Sequence, residues 1–367
     1  MAALEFTDKI ISNLDQGKLP IAIYLDLSKA FDTIDHEILI DKLKYYGVHG
    51  SSLDWFKSYL SNRKQYVQFN DSASFQSTIS TGVPQGSILG PLLFIIYMND
   101  IATVTKKFHF TLYADDTSLV EPLCTFTTGT SDSTDTSTSI NFELNLITDW
   151  LCLNKLSLNA KKTKMMIFHH RQKNISSIQL HLIISNTKIE QVSEFDFLGL
   201  RLDECMTWNS HVQKISRKLS QVNGVLSRLK RFLPREILKM IYNALMLPHL
   251  NFGILLWGNN TKRIFKLQKW ALRSITLSKY NAHTDPLFIS LKLLKIQDIY
   301  TLALLKFYYK YKNDNLPNYF SGMFEPNFVS HEHNTRQSKR NSEYHLKNKA
   351  CRNIITTFVT PCSSKNK

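Results

Sequence analysis

The sequence predicts an α+β protein: an antiparallel sheet backed by helices, followed by a largely helical second part. Three observations carry this. Residues 20–28 alternate as a strand does, with Ile23, Leu25 and Leu27 on one side and Tyr24 and Asp26 on the other. Residues 108–120 read as two short strand-like pieces around a polar pair, Asp115 and Asp116, the pattern of a β-hairpin with its carboxylates at the turn. After Trp208 the period becomes helical: Val212, Ile215, Leu219, Val222, Leu226 and Leu229 recur every three or four residues, with Lys and Arg between them.

The remaining elements follow in order. A helix is expected over roughly 35–46, with Ile38, Leu39 and Leu43 on one face. A second helix holds Leu53, Trp55, Phe56, Tyr59 and Leu60, and residues 65–69 read as a strand. Thr81-Gly82-Val83-Pro84-Gln85-Gly86-Ser87 is a loop punctuated by glycine and proline. It opens an apolar run over 88–101, read as a buried helix. Residues 125–139 are of low complexity and read as a loop without a core. A helix follows over roughly 140–154, with Phe142, Leu146, Ile147 and Trp150 on one face. Residues 165–168, 179–184 and 195–202 read as strands. Helices over roughly 235–247, 261–276 and 294–309 complete the second part, and from about 321 the chain turns polar, basic and aperiodic, a weakly ordered tail.

Composition bounds the function. A chain of 367 residues, 43% hydrophobic and 20% charged, has the make-up of an ordinary globular protein with more than one domain. The apolar stretch 89–98 is too short for a bilayer, which needs ~20 residues, so no membrane partner is expected. Cys124, Cys152, Cys205, Cys351 and Cys362 are odd in number, widely spaced and free of C-x-x-C, which argues against disulfides and a zinc site and for a reducing compartment. His331, His333, His345, Cys351 and Cys362 cluster near the end, but their spacings fit no zinc pattern. Net charge is +15 and uneven: residues 1–150 hold 10 Lys/Arg against 18 Asp/Glu, and residues 151–367 hold 35 against 12. A basic second part points to a polyanionic partner, nucleic acid first.

Asp26 on an apolar strand and Asp115-Asp116 in a turn are each ordinary when taken singly. If strand and hairpin meet, three carboxylates crowd one spot. Two like charges 4 Å apart repel by ~4 kcal/mol at an effective dielectric of 20. Hard divalent cations such as Mg²⁺ relieve that repulsion, and two of them ~3.5–4 Å apart serve phosphoryl transfer.

Tyr113-Ala114-Asp115-Asp116, preceded by Gly82-Val83-Pro84-Gln85-Gly86-Ser87 and by Leu25-Asp26-Leu27-Ser28-Lys29-Ala30-Phe31-Asp32, resembles the reverse transcriptases of non-LTR (LINE-type) retrotransposons, most closely the jockey-like branch. The resemblance continues through Leu156-Ser157-Leu158-Asn159-Ala160-Lys161-Lys162-Thr163-Lys164, Phe197-Leu198-Gly199, Leu255-Leu256-Trp257-Gly258 and His333-Asn334-Thr335-Arg336-Gln337. It implies a right-hand polymerase palm with partial fingers over 1–205, a helical thumb and connection over 206–320, and the basic tail over 321–367. Relative to that family the chain looks amino-terminally truncated, without the upstream fingers or the endonuclease, and without a zinc-knuckle or ribonuclease H segment.

The resemblance also implies roles. Asp26, Asp115 and Asp116, with the main-chain carbonyl of Leu27, would hold two Mg²⁺ ions. Phe31 matches the aromatic gate that excludes a 2′-hydroxyl; taken alone it is a core phenylalanine. Gly82, Pro84, Gln85 and Gly86 match the loop lying against the incoming nucleotide and template base. Lys162 matches the lysine that protonates pyrophosphate, a task that needs a lowered pKa near neutral pH. Phe197, Leu198 and Gly199 match the primer grip. The implied partners are an RNA template, a DNA primer and dNTPs, and the implied location is intracellular, in nucleus and cytoplasm. The rivals are an RNA-dependent RNA polymerase, disfavoured by the bulky Phe31, a group II intron-type enzyme, and an inactive remnant that only binds nucleic acid.

Overall fold

The computed structural model describes residues 1–123, 131–173, 175, 178, 180–326 and 344–346. The chain divides into two compact units, Lys18–Val192 and Ala3–Gly17 with Ser193 onward. The first helix, α1 (Ala2–Asp15), was not among the expected elements. Its apolar stripe is nonetheless regular: Phe6, Ile10 and Leu14 stand four apart and are buried with Leu4.

In the unit Lys18–Val192, β1 (Leu19–Leu25) is followed by α2 (His36–Tyr45), α3 (Gly50–Leu60) and four two-residue strands, β2 (Lys64–Gln65), β3 (Gln68–Phe69), β4 (Ser72–Ala73) and β5 (Ser77–Thr78). The expected single strand over 65–69 is thus broken at Tyr66 and Val67 into rungs of two separate ladders, β2–β5 and β3–β4. Then come α4 (Leu89–Met98), β6 (His109–Tyr113), β7 (Asp116–Leu123), α5 (Ser131–Leu153), β8 (Lys164–Ile167), β9 (Ile183–Ile184), β10 (Thr187–Lys188) and β11 (Glu190–Gln191). The main sheet runs β11-β8-β1-β7-β6. Every pairing in it is antiparallel except β11 with β8, so the sheet is mixed at one edge.

All seven residues of β1 are buried, more than the half-buried alternation predicts. Ile21, Ile23 and Leu25 join one apolar cluster with Leu39 of α2, Leu93 and Phe94 of α4, and Leu144 and Ile147 of α5. Helix α5 corrects two expectations. It begins at Ser131, so the low-complexity segment is helical from there, and residues 125–130 lie outside the described residues. Its buried stripe is Ile140, Leu144, Ile147 and Leu151, while Phe142 is exposed. Helix α4 likewise ends earlier than the apolar run, giving way to a 3-10 turn over Asn99–Thr103, and its Ile88, Leu92 and Ile95 flank is exposed. Lys42 pins three of these elements: its ammonium donates to the Tyr97 carbonyl, pairs with Asp100 at 2.6 Å and lies over the Trp150 ring. Burial pulls its pKa down, and Asp100 offsets part of that.

The other unit opens with a hairpin, β12 (Glu194–Phe197) and β13 (Leu200–Asp203), where a single strand over 195–202 was expected. Leu198 and Gly199 form its two-residue loop, both with positive φ (47° and 79°), the signature of a type I′ turn. Next come α6 (Asn209–Leu229), α7 (Arg235–Leu245), α8 (Leu247–Asn251), α9 (Ile254–Trp257), α10 (Lys262–Ile275), α11 (Asp285–Leu291) and α12 (Ile296–Lys312). The α6 stripe read from the sequence is buried from Val212 to Leu226. Gln268, fully buried on α10, ties that helix to α7 and to the start of α12: its Nε2 donates to the Tyr242 hydroxyl and the Leu294 carbonyl, and its Oε1 accepts from Ile296 N. Strands β14 (Phe324–Pro326) and β15 (Tyr344–Leu346) pair. The rest of the expected tail, the segment 333–337 and Cys351 and Cys362 lie outside the described residues.

Candidate active site

Asp26 stands at the point where β1 leaves the sheet. On one side the chain pairs with the segment after α5: Leu27 bridges Leu158, Ser28 N donates to the Ser157 carbonyl (2.8 Å) and Asn159 N to the Asp26 carbonyl (2.7 Å). Those bonds are made by the residues flanking Leu27. The Leu27 carbonyl therefore points to the other edge, where β7 begins.

On that other edge the register puts Leu25 opposite Thr117. One step further along lie Asp26 and Asp116. Asp116 pairs across the β6–β7 hairpin with Tyr113, leaving Ala114 and Asp115 as a two-residue loop. Ala114 has φ 52°, a left-handed backbone at the first loop position, as in a type II′ turn. The hairpin and strand expected from the sequence do meet. Partial burial pushes the Asp116 carboxyl up, and the charges of Asp115 and Asp26 push it further.

Among the described residues, no three His, Cys, Asp or Glu side chains close around a single point that could hold a metal ion. The donor set nonetheless fits a hard divalent cation: the Asp116 carboxylate with the charges of Asp115 and Asp26 pressing on it, and a main-chain carbonyl on the β7 side of the same strand end. Lys162 reaches this spot, its Nζ 3.9 Å from Asp26 Oδ2 with the side chain 70% exposed. An ion pair that open contributes little to stability.

Phe31 and the loop 81–87 form a second cluster. Val83 N donates to the Phe31 carbonyl (2.8 Å), Gly82 N to the Ile34 carbonyl (2.7 Å) and His36 Nε2 to the Gly82 carbonyl (2.7 Å). Phe31 is half-buried, its ring stacked on Phe94 at 4.6 Å between centroids. Gly82 has φ +85°, and a Cβ there would lie 2.8 Å from the Asp32 backbone, so only glycine fits. Pro84 is partly buried, with its carbonyl accepting from Ser87 Oγ (2.7 Å); Gln85 and Gly86 are exposed. Gln85 Nε2 donates to Asp32 Oδ1 at 2.8 Å.

Phe197, Leu198 and Gly199 belong to the other compact unit, at the tip of the β12–β13 hairpin. Phe197 is buried, its ring 4.6 Å from that of Phe6 on α1, which accounts for it as core.

Residues 4–202 match the family described as reverse transcriptase (RNA-dependent DNA polymerase), and they hold every carboxylate and loop just described. The chain belongs to the reverse transcriptase family. Among curated relatives it is 27% identical over 313 residues to the probable RNA-directed DNA polymerase from transposon BS of Drosophila melanogaster, covering 80% of this chain and 33% of that protein. It is 25% identical over 301 residues to the RNA-directed DNA polymerase from mobile element jockey of the same fly, covering 78% and 31%. The chain thus spans about a third of the length of these reverse transcriptases. Among solved structures, telomerase from Candida albicans in complex with a fragment of telomeric RNA aligns at 14% identity and a TM-score of 0.38, covering 85% of this chain and 52% of that one. Reverse transcriptases as a family depend on a divalent metal. No helix among the described residues is long and apolar enough to cross a membrane.

The sequence reading assigned no role to Asp32, His36 or Asn159. The signal for Asp32 was present, a carboxylate directly after Phe31 within the same motif. Only the fold shows that it faces the loop 81–87.

Proposed function

We propose that this chain carries the polymerase centre of a non-LTR retrotransposon reverse transcriptase, extending a DNA primer on an RNA template with dNTPs. The observation that carries the reading is the adjacency of Asp26, at the end of β1, to Asp116, at the start of β7, inside the segment that matches the family. The primer 3′-hydroxyl oxygen forms a bond to the dNTP α-phosphorus, and the bond to the β-phosphate oxygen breaks, releasing pyrophosphate. Asp26, Asp115, Asp116 and the Leu27 carbonyl are the residues that would hold two Mg²⁺ ions, which when bound lower the hydroxyl's pKa and neutralise the triphosphate.

The protein's own groups do the rest. The antiparallel pairings on both sides of β1 hold the carboxylates at one end of the sheet's strands, so little reorganisation is needed when charge arrives. Lys162, exposed beside Asp26, is the group that delivers a proton to pyrophosphate. Phe31, backed by Phe94, walls off the 2′ side of the sugar. Gln85 and Gly86, exposed on the loop, meet the nucleotide and template base, while Gly82 and Pro84 shape that loop. Leu198 and Gly199 at the hairpin tip, held by Phe197, contact the primer end, and the basic helices track the duplex backbone.

The test is primer extension on an RNA template with dNTPs and Mg²⁺, beside Asp115→Asn. Extension abolished by that substitution is expected. Equal extension by both proteins would come from a contaminant and would remove the assignment. Hybrid binding without extension by either would favour the second reading, a nucleic-acid-binding remnant, whose support is the excess of 35 Lys/Arg over 12 Asp/Glu in residues 151–367.

A further inference from the structure

The hydrogen bond from Gln85 Nε2 to Asp32 Oδ1 has a direction that follows from chemistry alone. A carboxylate only accepts, so the Gln85 amide must turn its nitrogen inward. That leaves the Oε1 acceptor, and one N–H, for whatever the loop meets. An exposed glutamine without such an anchor presents either end of its amide. Asp32 itself is set by backbone contacts that do not depend on its side chain. Its N donates to the Lys29 carbonyl (2.8 Å), and its carbonyl accepts from Thr81 Oγ1 (3.1 Å). The loop is in turn held against it by the Gly82 and Val83 amides, and by the space that only a glycine at 82 leaves open.

We propose that Asp32 is a positioning residue: it orients the Gln85 amide so that the loop 81–87 offers an acceptor to the incoming nucleotide. This rests on the polymerase reading. Phe31 and Asp32 then act as a pair, one shaping the space for the sugar and the next setting the polarity of the loop beside it.

The test uses the full chain with an RNA template, a DNA primer and dATP, comparing Asp32→Ala, Gln85→Ala and the double variant. Losing one solvent-exposed hydrogen bond of ordinary net strength corresponds to a KM for dATP raised about five- to tenfold in Asp32→Ala, with kcat within about twofold. In the Gln85→Ala background, Asp32→Ala adds nothing, because Asp32 acts only through Gln85. An unchanged KM in Asp32→Ala, multiplicative effects in the double variant, or a loss confined to kcat would overturn the proposal. A second measurement separates it from the polymerase reading. In the chain labelled with ¹⁵N-glutamine, the Gln85 side-chain amide resonances should shift in Asp32→Ala, and less in the isosteric Asp32→Asn. Unshifted resonances overturn the proposal even in an active enzyme; shifted ones in an inactive chain leave the hydrogen bond intact and remove only its use in polymerisation.

Discussion

Phe31 is a packing residue that, under the polymerase reading, also serves selection. Its stack on Phe94 explains it fully as a core-edge aromatic, and under that reading the same stack would hold the ring in place against a bulkier sugar. Under the polymerase reading, Phe31→Ala should incorporate rNTPs at least ~10-fold better relative to dNTPs, since steric exclusion alone is worth a few kcal/mol. The check is the ratio of kcat/KM for the two sugars; an unchanged ratio removes the gate. The three aspartates were legible because their residue types and motif order are visible in the chain. The Asp32–Gln85 bond was not, because its partners stand 53 positions apart and only the fold brings them together.

Among the elements, the β12–β13 hairpin and α6 depend on a buried histidine. His211 accepts from Arg201 N through Nδ1 (3.1 Å) and lies between the rings of Trp208 and Trp257. Burial pulls its pKa down to about 4, with Lys214 adding to that effect. The folded state therefore resists protonation that the unfolded chain accepts. This contribution to stability is complete above the ordinary histidine pKa of 6.5 and is lost as pH falls towards 4. The loss amounts to up to about 3 kcal/mol. The urea midpoint should drop over that pH range in the wild-type chain, and drop less in His211→Asn, whose Oδ1 can still accept from Arg201 N. Equal drops in both would assign the acid sensitivity elsewhere. Periodicity anticipated α6 well, because its stripe of Val212, Ile215, Leu219 and Leu226 is continuous. It anticipated the hairpin poorly. A two-residue turn at Leu198-Gly199 leaves only one glycine as a sign, and the change of phase from Phe195 and Phe197 to Leu200 and Leu202 is hidden by Leu198, which keeps the run apolar.

At the scale of the molecule, charge is the feature read most directly. Residues 1–150 hold 10 basic against 18 acidic side chains, and residues 151–367 hold 35 against 12. If the basic part grips a duplex backbone through at least three phosphates, affinity for an RNA–DNA hybrid should fall at least ~10-fold between ~50 and ~200 mM salt. A salt-independent affinity, measured by fluorescence anisotropy, would exclude that mode of binding. The sequence by itself determined the α+β class, the helical second part, the charge asymmetry and the motif order, since each depends on side-chain identity and short-range period. Only the tertiary structure decided that α5 begins at Ser131, that β1 is buried throughout and that α1 groups with the residues after 192. It alone brought Asp26 beside Asp116 and Asp32 against Gln85. These are outcomes of pairing and packing between segments far apart in the chain, and local sequence has no term for a neighbour that only folding supplies.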